Sequence, residues 1–240
     1  MTKLLRSKDR KVTNAVSPNG KTPTIANTFG LPAGKAYSCP GATSVCETVC
    51  YAGKLEKIFP GVKTNLLHNW NLLKDADYET MVILLKEMIV DFIKDCAKKD
   101  APLLFRIHWD GDFFNDTYAY AWKQVIMDYR HVQFWVYTRV ESAALMLKDQ
   151  PNLSLYYSTD AENKSTGIKL KTENGIKLAY LAKNFAEGQA DMKELTNRPG
   201  AKCPENAKRI PLISNAGSAC VSCSLCVYSK SDIVFSASKK

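Results

Sequence analysis

Between Pro102 and Lys183 the apolar residues change period again and again, and that alternation constrains the fold more than any other feature of the chain. "PLLFRIHWD" (Pro102 to Asp110) has the two-residue alternation of a strand, and "NDTYAYAWKQVIMDY" (Asn115 to Tyr129) has the spacing of a helix opened by a capping Asn or Asp. "VQFWVYTR" (Val132 to Arg139) reads as a second strand, "ESAALMLKD" as a helix, "LSLYYSTD" (Leu153 to Asp160) as a third strand and "GIKLAYLAK" (Gly175 to Lys183) as a fourth. Strands that alternate with helices specify parallel β/α units. Upstream, "NLLHNWNLL" and "DYETMVILLKEMIVDFIKDCAKK" carry helical periodicity. A chain of 240 residues, 45% of them hydrophobic, is long enough to bury a full core as one domain.

Parallel β/α architectures place their chemistry at the carboxyl ends of the strands. The predicted strands here end in "HWDGD", "YTR" and "STD". Arg106, His108 and Asp110 alternate along the first, so a regular strand points all three to one face. Three such groups on a covered face are costly unless paired or turned toward a ligand. They are therefore candidates for a site, His108 and Asp110 as catalytic groups and Arg106 as a ligand contact. A structural Arg–Asp ion pair and a buried, hydrogen-bonded His108 are the alternatives.

The chemistry-bearing residues are the cysteines. Cys39, Cys46 and Cys50 follow a C-x6-C-x3-C spacing, the first on the Gly- and Pro-rich loop "LPAGKAYSCPGA". If "CETVCYA" is helical, Cys46 and Cys50 stand one turn apart and present both thiols to one side. Three thiolates are one short of a closed tetrahedral site, the arrangement of an open, reactive metal position. Near the other end, Cys220, Cys223 and Cys226 run C-x2-C-x2-C, and Cys203 precedes Pro204. That spacing resembles the ligand pattern of bacterial ferredoxin clusters, although the Cys-Pro comes before the run rather than after it. The seven cysteines divide into an open three-thiol site and a closed four-thiol site, or serve one cluster from both ends of the chain. Iron–sulfur ligation suits the spacing better than zinc, whose sites use paired C-x2-C knuckles. Cys96, without cysteine neighbours in an amphipathic helix, reads as a free thiol.

The net charge of +9 favours an anionic partner such as a nucleotide or nucleic acid, less so once anionic clusters are counted. Clustered thiols, with no apolar leader in "MTKLLRSKDRKVTNAVSPNG", are expected in a cytoplasmic protein, that of a bacterial host if the chain is phage-encoded. The longest apolar run, "MVILLKEMIVDFI", is too short and too charged to span a bilayer, so no membrane partner is expected. Residues 1–21 read as a basic, flexible arm, and residues 201–240 as a cysteine-rich segment in which the β/α alternation is lost.

Taken together, "CPGATSVCETVCYA", "FRIHWDGDFFNDTYAYAWKQV", "FWVYTR" and "KCPENAKRIPLISNAGSACVSCSLC" resemble the phage gene product eighty-eight family, a radical-SAM-like three-cysteine family. The resemblance implies an α/β fold, a partial (β/α) barrel of radical-SAM-like type over residues 22–200. It also implies a [4Fe–4S] cluster on Cys39, Cys46 and Cys50, with S-adenosylmethionine as ligand of the free iron. On the same resemblance Gly111 and Asp112 receive the amino group of that ligand, and Arg139 and Asp160 meet its carboxylate or ribose. The usual signature is C-x3-C-x2-C with a Gly-Gly-Glu stretch; here the gaps differ and "DGD" stands in its place. Three functions compete: an iron–sulfur enzyme acting on a nucleotide, nucleic acid or peptide; a non-catalytic iron–sulfur redox or nucleic-acid-binding protein with an electron donor; and a zinc-stabilised nucleic-acid-binding module.

Overall fold

The computed structural model describes residues 2–17 and 19–238; Met1, Pro18, Lys239 and Lys240 lie outside the described residues. In chain order the elements are β1 (Thr28–Gly30), α1 (Ser44–Val49), α2 (Tyr51–Ile58), α3 (Pro60–Leu73), α4 (Tyr78–Lys99), β2 (Leu104–Asp110), α5 (Asp116–Asp128) and β3 (Gln133–Thr138). They continue with α6 (Glu141–Leu147), β4 (Leu153–Thr159), α7 (Lys164–Asn174), β5 (Lys177–Ala182), α8 (Phe185–Thr196), β6 (Ala201–Lys202), β7 (Ile213–Ser214), β8 (Gly217–Ser218), α9 (Ala219–Cys223) and β9 (Ile233–Ser236).

Seven strands form one sheet in the order β1-β2-β3-β4-β5-β9-β6, every neighbouring pair parallel. The first five lie in sequence order. Right-handed crossovers between consecutive parallel strands stack the intervening helices on a single face. The packing agrees: Phe105, Ile107, Phe134, Val136, Tyr157 and Leu178 share one core with Ile89 and Phe92 of α4 and Trp122 of α5. Each such large side chain stabilises the fold by about 1.5–3 kcal/mol through burial. The fold is thus mixed α/β around a parallel sheet. The sheet does not close on itself: β1 and β6 are its two edges.

The other face of the sheet is covered by the two ends of the chain. Val12 and Val227 pack against Leu104 and Trp135, and Leu225, Cys203 and Cys226 pack against Tyr156, Ala179 and Ile233. One expectation needs correction: residues 2–17 are not a loose arm, because Leu4, Val12 and Ala15 are buried and Asn14 exchanges hydrogen bonds with Ser218. The cysteine-rich segment joins the sheet through β6 and β9. No described helix is long and apolar enough to cross a membrane.

Candidate functional site

Beyond β1 the chain turns through a loop bearing Cys39 and enters α1, capped by Thr43, whose hydroxyl accepts a hydrogen bond from the Cys46 amide at 3.0 Å. The helix stops at Cys50, whose backbone (φ −55°, ψ 110°) is not helical. The Cys50 sulfur instead caps α2, accepting from the Gly53 amide at 3.3 Å. The helix break therefore falls at Cys50 itself, while Cys46 lies within α1. Even so, Cys39, Cys46 and Cys50 line one cleft of about 430 Å³, with no fourth cysteine in its lining. Burial raises the pKa of all three thiols, so each favours the protonated form unless a cation is near.

The strand ends hold this loop from beneath. Gly111 takes φ +82°, and a Cβ there would lie 2.8 Å from the Leu31 carbonyl oxygen and against the Ser38 hydroxyl. The Ser38 hydroxyl donates to the Pro32 carbonyl (2.7 Å) and accepts from the Asp112 amide (3.3 Å), which fixes the residue beside Cys39. Buried Asp112 accepts from the Thr138 hydroxyl (2.6 Å) and from the Phe113 and Arg139 amides (2.8 and 2.7 Å). Its pKa is pushed up to about 6, burial outweighing those donors. Arg139 donates to Asp160 at 2.7 Å, and Thr43 donates to the same oxygen at 2.6 Å. The Arg139 charge also opposes the upward push of burial on Cys46. Gly111, Asp112, Arg139 and Asp160 thus seat the cysteine loop, and both Asp160 oxygens are engaged within the chain, the second by the Glu162 amide.

Arg106, His108 and Asp110 do not share a face. His108 adopts φ +57°, which interrupts the strand's alternation. Its ring turns into the aromatic core beside Phe113 and Trp122, and its Nε2 meets the Tyr118 hydroxyl at 2.9 Å. Burial, helped by the Arg106 charge, lowers its pKa to about 3, so it is a neutral core histidine outside the cleft lining. Asp110 does face the cysteine side. One oxygen accepts from the Gly111 amide at 2.9 Å; the other is buried without a donor. Burial raises the Asp110 pKa, and Glu56, which lines the cleft, raises it further.

Arg106 belongs to the second cysteine group. It pairs with Asp9 of the N-terminal segment at 2.8 Å, lies over the Tyr137 ring at 5.5 Å, and keeps a buried Nε without a partner. Nearby, the Cys220 amide donates to the Lys11 carbonyl (2.9 Å), the Cys203 amide donates to the Val234 carbonyl (3.0 Å), and Cys226 lies beside the Tyr137 hydroxyl. Burial pushes the Cys220 and Cys226 thiols up to about 12 while the Arg106 charge opposes it. Tyr51 joins the two groups: it follows Cys50 in sequence, and its hydroxyl lies 3.4 Å from Arg106. Asp9, Lys11, Tyr51, Tyr137 and Glu56 are not legible as site residues in the sequence; only the adjacency of Tyr51 to Cys50 gives a signal.

All eight cysteines are free thiols. Among the described residues no three His, Cys, Asp or Glu side chains converge closely enough to grip a single metal ion.

A family model described as Gene product 88 matches residues 2–229. The Gene 88 protein of Mycobacterium phage L5 is 50% identical over 245 residues, covering 100% of both chains. The Gene 88 protein of Mycobacterium phage D29 is 50% identical over 246 residues, again covering 100% of both. No solved structure matches.

Proposed function

We propose that this chain, which belongs to the Gene product 88 family, is an iron–sulfur enzyme with two cysteine sites. Cys39, Cys46 and Cys50 hold a [4Fe–4S] cluster with one iron free, and Cys203, Cys220, Cys223 and Cys226 hold a closed one. The observation that carries this reading is the cleft: three free thiols line it without a fourth cysteine, above the carboxyl ends of parallel strands.

The donor sets fit anionic clusters. At the C-terminal site a buried guanidinium with an unpartnered Nε exerts its field on Cys220 and Cys226, and an anion would satisfy it. A single zinc ion fits less well. Tetrahedral ligation at about 2.3 Å per Zn–S bond requires converged sulfurs, and no such group is assembled among the described residues. A cube of irons and sulfides spans thiols that stand farther apart.

When bound in the cleft, the open cluster would supply one-electron reduction to a ligand on its free iron, as in radical SAM chemistry. The chain's own residues do the rest. Gly111 and Ser38 seat the Cys39 loop; Asp160 and Arg139 anchor Thr43 at the start of α1; Arg139 places positive charge beside Cys46. Glu56 is the carboxylate that lines the cleft, and buried Asp110 beside it keeps one oxygen without a donor. An electron donor is then required. A non-catalytic redox protein is the second reading, favoured by the closed ligand count of the C-terminal site.

The test is iron, sulfide and zinc per chain in anaerobically purified protein, with Cys39→Ser and Cys223→Ser variants. About eight irons in the wild type and about four in Cys39→Ser are expected. Zinc without iron, from cells supplied with iron, would contradict the reading.

A further inference from the structure

We propose that the mouth of the cysteine cleft binds the phosphates of a base-bearing ligand, a nucleotide or a nucleic-acid strand, through Lys54, Lys57 and Lys63. Lys54 and Lys57 are three residues apart on α2 and share its face, and Lys63 lies on the first turn of α3 across the break at Phe59. All three line the cleft and are exposed. Among the described residues none of the three lies within ion-pair distance of a carboxylate, whereas Lys86, Lys164 and Lys171 are all paired. The two acidic residues of the lining do not offset them: Glu56 accepts from the Ala33 amide at 2.8 Å and faces Asp110, which leaves Glu47 alone.

Three unpaired ammonium groups on one concave wall repel one another, and an anion with several charges relieves that repulsion. Flat apolar surface adjoins them. Tyr37 lines the same cleft at 39% exposure, and Phe59, 51% exposed, sits at the turn between the two lysine-bearing helices. Cations interleaved with exposed aromatic rings are how single strands are held, phosphates by charge and bases by stacking. The chain's charge of +9 steers such a ligand toward it. A lipid surface fits less well, because the lysines line a concavity rather than a convex face. Naming this ligand as the substrate rests on the cleft being the reaction site; its binding does not.

The test is fluorescence anisotropy of a labelled single-stranded oligothymidylate across a salt series, with unlabelled strand, thymidine triphosphate and inorganic triphosphate as competitors. Engagement of three phosphates predicts a log–log salt slope of about −2. In the Lys54→Gln/Lys57→Gln/Lys63→Gln variant, affinity is expected to fall at least about tenfold, the slope approaching zero. A control, Lys94→Gln/Lys98→Gln/Lys193→Gln, removes equal charge from α4 and α8 and is expected to bind as wild type. Competition by thymidine triphosphate at comparable concentration identifies a nucleotide ligand; competition only by unlabelled strand identifies nucleic acid. Absence of binding, equal loss in both variants, displacement by inorganic triphosphate as effectively as by nucleotide, or binding only to anionic lipid vesicles would overturn the proposal. Iron is measured on the same samples. Binding without iron removes the cluster reading and keeps the lysine site; iron without binding does the reverse.

Discussion

Gly111 and His108, three residues apart, show how much of the site depends on single backbone angles. Gly111 at φ +82° lets the Cys39 loop close onto the end of β2. Gly111→Ala adds strain in the left-handed region, about 1–2 kcal/mol, and crowding against Leu31 and Ser38, about 1–3 kcal/mol. A loss of roughly 2–5 kcal/mol in urea unfolding is expected, whereas Gly20→Ala, which meets nothing within 4 Å, loses only the strain part. His108 gives a pH dependence. Its folded pKa of about 3 lies below its unfolded value of about 6.5, so the unfolded chain binds more protons between them. Its contribution to stability is complete above pH 6.5 and is lost as pH falls toward 3, amounting to about 2 kcal/mol at pH 5. In His108→Asn, which tolerates the left-handed backbone, the unfolding midpoint should lose that part of its slope below pH 6.5. A His108 imidazole, assigned by its loss in His108→Asn, that titrates near 6.5 by NMR in the folded protein would contradict this placement.

At the scale of elements, legibility tracks burial. Strands β2 to β5 and the helices between them could be read from the sequence because each strand sends alternate residues into the helix-side core, leaving a period to detect. The break between α1 and α2 could not. "CETVCYA" has no proline or glycine at Cys50, and the sulfur that caps α2 is the same group expected to face a metal. The N-terminal segment was equally hidden, since what orders it is remote: Asp9 reaches Arg106 and Asn14 reaches Ser218. A basic stretch without periodicity carries no trace of partners that far along the chain. The Arg106–Asp9 pair is nearly buried on both sides, each side chain 10% exposed. Asp9→Ala strands the guanidinium and is expected to cost about 3–5 kcal/mol in chemical denaturation. Lys3→Ala, which breaks the exposed pair with Asp91, is expected to cost no more than about 1 kcal/mol.

The whole molecule sets two thiol groups at one parallel sheet and joins them through Tyr51 and Arg106. The C-terminal strands that complete this arrangement escaped the sequence reading. β6 and β9 are two and four residues long and owe their place to tertiary pairing rather than to pattern. The cysteine spacing carried further, since it brought Cys39, Cys46 and Cys50 to one cleft across the unexpected helix break. Arg106 illustrates the limit: chosen from strand alternation for one site, it lies at the other. The proposed function requires that one cleft hold a cluster with a free iron. It is tested most directly by the EPR spectrum of anaerobic, dithionite-reduced protein recorded with and without S-adenosylmethionine. With two clusters reduced, one component of the signal is expected to change on addition of the ligand and to be lost from Cys39→Ser, the component of the closed cluster remaining. A spectrum in which no component responds to the ligand would contradict an open iron and leave a redox protein in its place.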